Sequence, residues 1–402
     1  MSACERLVVI GKLLANSSDK LLAALPAQVR TSSDLMKATG VNKDIASRFL
    51  SALSKRDPMA VAYYMPGVES LRRLSHGARS AVSNKKAVEE FDKAVSAFEG
   101  FLQDELGGRH ALDAMASAWL PEAREKFEFT SRQMAFRSAA NLRGLECQVI
   151  TNTAIVHPGA DTGRYDAVQV AGMLGLQRLR PSVPLMLTMF DHRDDTSGLQ
   201  AQTLDVRPIR GDSDAAEFLP QFGRGKPPRI GVVRKGTASI YQLVDEGLGA
   251  EAAGDLFFGQ ATPGLMRRWG RHAGDIAAVM EAVEIPAQRL VMDVLLHPDV
   301  WPGIEPELMH YNTGVRGAAL PYDRSRDMDR VDLLDTVRYV GTGVDYCRMG
   351  EAPKYVELLR WACQNRGWDP SCFRVYRCDS RYPVVGVQYT MAFKLQERGA
   401  AG

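Results

Sequence analysis

The chain has 402 residues, is 45% hydrophobic and 24% charged, and carries a formal net charge of +2. Those figures describe a soluble globular protein able to bury a core, with two or three domains at about 100 to 200 residues each. They exclude a membrane-embedded chain, since no stretch approaches the ~20 apolar residues that span a bilayer, and the polar start with Glu5, Arg6 and Lys12 is not a signal peptide.

Residues 3 to 25 predict a first helix, with Leu7, Ile10, Leu14, Leu21 and Leu25 on or near one face. From Thr31 to Leu74, spacing, turn chemistry and surface charge agree on one structure. Leu35 and Ala38 give a short apolar face, and Ile45, Phe49 and Leu53 repeat at i, i+4 and i+8 along a second helix. Between them, Gly40 can take the left-handed conformation that ends the first helix, and Asn42 can cap the second. Thr31, Ser32 and Ser33 offer caps to the first. Two helices joined by so short a glycine-containing turn make a helix-turn-helix. Arg56-Asp57-Pro58 then stops the helix, Met59 to Met65 reads as a short strand, and Pro66-Gly67 turns the chain, which predicts a small wing.

With Ile45, Phe49 and Leu53 turned inward, the outer face of the second helix carries Lys43, Asp44, Ser47, Arg48, Ser51 and Lys55. Lys43, Ser47, Arg48 and Ser51 are of the types that reach base edges in a major groove, whereas Lys37, Lys55, Arg56, Arg72 and Arg73 suit phosphates. Residues 1 to 80 hold twelve Lys or Arg against six acids, a net of +6, so the remainder of a chain whose total is +2 carries −4. A basic head on a mildly acidic body is expected where only the head meets a polyanion. The competing reading is a helical hairpin inside a larger α-domain. The stretch resembles the winged-helix heads of bacterial transcriptional regulators of the MarR or IclR kind, over about the first 75 residues. The resemblance implies a winged DNA-binding fold with double-stranded DNA as its partner.

After Leu74 the small polar run from Ser75 to Asn84 reads as a joint. Val88, Phe91, Val95, Phe98, Phe101 and Leu102 then recur at spacings of three and four, closed by Gly107-Gly108. Further helices are expected over 111–120 and 122–142, the latter with Phe127, Met134 and Phe136 on a face. Helices placed after such a head often join two heads at the separation of two half-sites, so a homodimer is expected; the alternative is that the stripe packs on its own effector domain.

From Leu145 the period changes. Strands are expected over 147–156, 185–190, 202–209, 229–234, 238–243, 289–296, 373–378 and 384–395, with 165–174 a strand or short helix, and helices over 263–283, 331–339 and 354–365. Without strict strand-helix alternation this is α+β, neither a Rossmann fold nor a TIM barrel. The division expected is a winged helix-turn-helix over 1–76, a helical connector over 77–144 and a larger mixed α/β effector domain over 145–402.

The densest polar set is Asp293, His297 and Asp299, with Glu305, Glu307 and His310 downstream. Even spacing on a strand puts the first three on one face, where they could converge on a metal, although His297-Pro298-Asp299 also reads as an ordinary strand exit. His157, Asp161, Arg164 and Asp166 form a second set and Asp191, His192, Asp194 and Asp195 a third. Arg178, Arg180, Arg316 and Arg324 fall in turns, and aromatic residues concentrate after Trp269. No nucleophile elbow, phosphate loop or zinc-protease motif is present, which points away from an enzyme and names no cofactor. The six cysteines form no CxxC pair, so reduced thiols in a cytoplasm are expected. The function expected is a cytoplasmic, bacterial DNA-binding transcriptional regulator whose C-terminal domain senses a small-molecule effector or partner. The alternatives are a metal-assisted hydrolase built on Asp293, His297 and Asp299, and a protein-interaction module using the winged helix.

Overall fold

The computed structural model describes residues 2–26, 29, 31–82, 84–181, 183, 186–190, 199, 201–205, 217–225, 229–235, 238–244, 247–250, 253–320 and 323–398. The chain is mixed α+β and divides into two compact units, Met1–Glu128 and Phe129–Gly402. No described helix is long and apolar enough to cross a membrane.

The described residues of the first unit form helices and no strand. Helix α1 (Ala3–Ala24) opens on a capping box in which Ser2 and Glu5 bond each other's backbone. Helix α2 (Ser32–Thr39) opens on the same device from Thr31 and Asp34 and ends on Gly40 at φ 72°. Helix α3 (Lys43–Leu53) starts at Asn42, whose side-chain oxygen accepts the Ile45 N–H at 2.8 Å. Those caps bound α2, the turn and α3 close to where the sequence predicts two helices. The wing is a correction. Pro58–Tyr64 is a helix, α4, with Asp57 as its N-cap and Pro58 in its first turn. A capping Asp followed by Pro starts a helix as well as it ends one, and burial of Ala60, Val61, Ala62 and Tyr63 outweighs the strand preference of this run.

Helix α5 (Val68–Ala81) runs through most of the expected joint, and its Gly77 is required: a Cβ there would lie 1.7 Å from the Thr39 carbonyl oxygen of α2. Helix α6 (Lys85–Gly100), a π-turn (Phe101–Glu105) and helix α7 (Arg109–Ser117) belong to the same unit. Val88, Phe91, Val95, Phe98, Phe101 and Leu102 share one core with Leu7, Ile10, Leu14, Leu35, Phe49, Leu71 and Leu74. The stripe expected to join two copies is thus spent inside the unit, where each such side chain contributes ~1.5 to 3 kcal/mol by leaving water. Helix α8 (Pro121–Arg143) carries the chain into the second unit.

The second unit holds β1 (Leu145–Pro158), β2 (Arg164–Arg178), β3 (Met186–Phe190), β4 (Glu217–Phe218), β5 (Ile230–Lys235), β6 (Ala238–Leu243), β7 (Gly254–Arg267), β8 (Ile276–Ala282), β9 (Ala287–Leu296), β10 (Glu307–Asn312), β11 (Val337–Thr342), α9 (Tyr355–Asn365), β12 (Arg374–Arg381) and β13 (Val387–Lys394). Seven strands form one sheet in the order β11-β12-β9-β1-β2-β7-β4; β10-β13-β8 and β3-β6-β5 form two smaller sheets. Strand alternation gives the large sheet two apolar faces. Val149, Ile155, Val291 and Leu295 pack on Tyr355, Leu358 and Leu359 of α9. Ile150, Ala154, Met292 and Val294 pack toward Val279, Tyr389 and Met391 of the β10-β13-β8 sheet.

Two expected helices are strands. Over 263–283 the chain forms the end of β7 and all of β8: Gly264, Gly270 and Gly274 interrupt any helix, and residues 276–282 pair with β13 along their length. Over 331–339 the regular structure is the start of β11, paired with β12. Of the strand expected over 202–209, Gln202 makes an isolated bridge to Ala261, and 206–209 lie outside the described residues.

Candidate nucleic-acid interface

Helix α3 buries Ala46, Phe49 and Ala52, and Phe49 meets Phe91 edge to face at 5.9 Å. That anchoring leaves Lys43, Asp44, Ser47, Arg48 and Ser51 exposed together on the opposite face. Lys37, Arg56, Arg72 and Arg73 are exposed as well, while Lys55 is half-buried with its ammonium 4.4 Å above the Tyr64 ring. Burial raises the Tyr64 hydroxyl, with Glu122 adding to it, so this ring remains a neutral phenol under the cation at neutral pH.

The exposed arginines are loosely held. Arg72 pairs with Glu99 and Arg73 with Glu69 at 3.3 Å, both at the surface. Arg109 instead is structural. Its guanidinium donates to the Tyr63 and Met65 carbonyls at the end of α4, and burial lowers it from its usual range. Sequence reasoning assigned Arg109 no role; its place after Gly107-Gly108 gives no local signal. His76 was also missed, although it stands on α5 at i+4 from Arg72 and is exposed.

The second unit breaks up the proposed metal set. Strand β9 ends at Leu296, so His297 and Asp299 are beyond it, and Asp293 faces Arg377 across the β9–β12 pairing. Arg377 donates to both Asp293 oxygens at 2.7 Å, and the carboxylate is fully buried. Two strands in register thus turn a candidate ligand into half of an ion pair. Among the described residues no group of three or more His, Cys, Asp and Glu is placed to hold a metal ion.

His297 meets a different partner. Strands β1 and β9 run parallel with Val156 opposite Leu296, so His157 and His297 emerge side by side, ring centroids 4.6 Å apart. Trp368 stacks on His157 at 4.7 Å, and Phe373 lies against both imidazoles. His297 Nδ1 accepts the Asp299 N–H at 3.2 Å, and burial, followed by the neighbouring imidazole of His157, lowers its basicity. Of the second polar set, Asp166 accepts from the Gly264 N–H, Arg164 donates to the Gly264 carbonyl, and Asp161 caps its own loop at Gly163. Asp191, His192, Asp194 and Asp195 lie outside the described residues. Arg178 is buried and donates to the Val183 and Leu243 carbonyls, and Arg316 bonds the Ser325 carbonyl and Asp329, so both serve the fold. Several late aromatics, such as Trp301 stacked on Phe393 at 5.0 Å, serve the core.

No family model and no curated protein matches the chain. Among solved structures it is similar to a "putative protease" from Parabacteroides distasonis at 8% identity, with a TM-score of 0.28, over 62% of this chain and 40% of that one. The chain spans well under half the length of that protein, and a likeness so slight carries no argument about fold or function.

Proposed function

We propose that the first unit is an all-helical DNA-binding head that presents α3 to the major groove of duplex DNA, and that the protein is a DNA-binding regulator. The observation that carries this reading is the exposed row Lys43, Ser47, Arg48 and Ser51 on a helix fixed from behind by Phe49 and from its start by Asn42. A groove-reading helix needs those two properties together: donors that stand free, and a backbone that holds them in register. Lys37, Lys55, Arg56, Arg72 and Arg73 supply charge for the phosphates on either side. The net +6 of residues 1 to 80 provides the attraction without regard to sequence.

Unbiased selection of duplexes from a random pool with the full chain tests the proposal. Enrichment of a common site, lost in the Lys43→Ala/Arg48→Ala variant, is expected; a pool that stays random through repeated rounds contradicts it. On a selected site, Arg48→Ala should weaken binding by ~1 to 3 kcal/mol, whereas Lys55→Ala should weaken all sequences alike and lower the salt slope by about one.

A further inference from the structure

An open cleft of about 540 Å³ lies in the first unit between the α2–α3 turn and α5, lined by Thr39 to Asn42 and Ile45 on one side and by Glu69, Arg72, Arg73, His76 and Gly77 on the other. The α5 residues are spaced by three and four, so they form one stripe. Across from them the turn is open at Gly40: a Cβ there would meet nothing within 4 Å, so a ligand can approach the main chain at that residue. The cleft is continuous with the face of α3, since Asn42 lines it and exposed Lys43 follows directly.

From this geometry we infer that the cleft seats one backbone phosphate of duplex DNA, held from α5 by Arg72, Arg73 and His76 while α3 occupies the neighbouring groove. The inference rests on the reading of the first unit as a DNA-binding head. Arg73 is the cleft cation freest to turn to a phosphate, because its ion pair with Glu69 at 3.3 Å joins two side chains that are 67% and 73% exposed. Such a pair contributes little in water, and a doubly bonded phosphate is the stronger partner for a guanidinium. Glu69 is the only carboxylate among the cleft's lining residues. It occupies Arg73 while the cleft is empty and opposes an incoming anion.

The test is a salt series of duplex binding, followed by fluorescence anisotropy with the full chain on a selected duplex. Arg73→Ala/His76→Ala should bind roughly tenfold more weakly at about 0.1 M salt, with a log–log salt slope smaller by about one to two, and should lose equally on unrelated duplexes. Glu69→Gln should bind several-fold more tightly. When single phosphates are replaced by neutral methylphosphonates, one position should weaken the wild type and leave the double variant unaffected. Unchanged affinity and slope in the double variant, with the wild type binding normally, overturns the cleft assignment and leaves the DNA-binding reading intact. No salt-dependent duplex binding by the wild type overturns that reading and the cleft with it. Saturable binding of inorganic phosphate without duplex binding assigns the cleft to a free anion and overturns the backbone contact.

Discussion

The two units differ in how deeply they bury ion pairs: only the sheet unit has pairs with both partners nearly withdrawn from water among the described residues. In the helical unit the ion pairs Lys20–Glu90, Arg72–Glu99, Arg73–Glu69 and Arg79–Asp92 all include an exposed cation. In the sheet unit Arg377–Asp293, Arg132–Asp335 and Arg267–Asp275 are buried or nearly so. Exposed pairs contribute little to stability and can be exchanged for another partner, whereas a buried pair cannot lose one member without leaving a charge in a medium that solvates it poorly. The comparison teaches where charge carries the fold: apart from Arg109 these cations of the helical unit are exposed, whereas the sheet unit commits Arg377, Arg132 and Arg267 to internal structure beside exposed cations such as Arg348 and Lys394.

The sharpest way to break this contrast is at Asp293. Arg377→Ala should cost about 3 to 5 kcal/mol of sheet-unit stability, and Arg377→Met combined with Asp293→Leu should recover most of it. Denaturant titration with hydrogen exchange on β9 and β12 reads both, and a cost near zero for the single variant would place this pair with the exposed ones.

His310 gives the next largest effect. It sits 3.6 Å from Asp335 and edge to face with Tyr389, and burial pushes it down to about 4, with Asp335 opposing. The unfolded chain, titrating near 6.5, binds more protons between the two values, so the stability His310 contributes is complete above about pH 6.5 and declines as pH falls toward about 4, by ~3 kcal/mol in all. Glu281, pushed up to about 7 by burial, has the opposite sign, its contribution lost as pH rises through that value. The readout is therefore the stability difference between wild type and His310→Gln from pH 7 to 4; a difference that does not change with pH removes His310 from the account.

A smaller effect is expected in the helical unit, where Gly77→Ala forces a methyl group against the Thr39 carbonyl and should cost ~1 to 3 kcal/mol by thermal unfolding. The smallest is at Glu99→Gln, which removes the surface partner of Arg72 and should change stability by less than ~1 kcal/mol. A large loss there would show that the head's cations are structural after all.

What was legible in the sequence follows the range of the interactions. Helices α2 and α3 and the turn between them were readable because their determinants are local: Thr31 with Asp34, Gly40, and Asn42 with Ile45 all act within four residues. The exposed residues of α3 followed from one helical period. Helix α4 was missed because Asp57-Pro58 reads equally as an end and a beginning, and tertiary burial decided between them. The fate of Asp293 was not readable at all. Its partner lies 84 residues away, and that of Arg132 lies 203 away; no local pattern announces either pairing. The same holds for the meeting of His157 with His297, which the parallel register of β1 and β9 brings about.

The most direct measurement is the affinity of the full chain for a duplex across a range of salt, compared between wild type and Lys43→Ala/Arg48→Ala. The account predicts binding that weakens steeply with salt, and a variant that loses sequence preference while keeping most of the salt slope. Equal binding by the two proteins, or a wild-type affinity indifferent to salt, would contradict it.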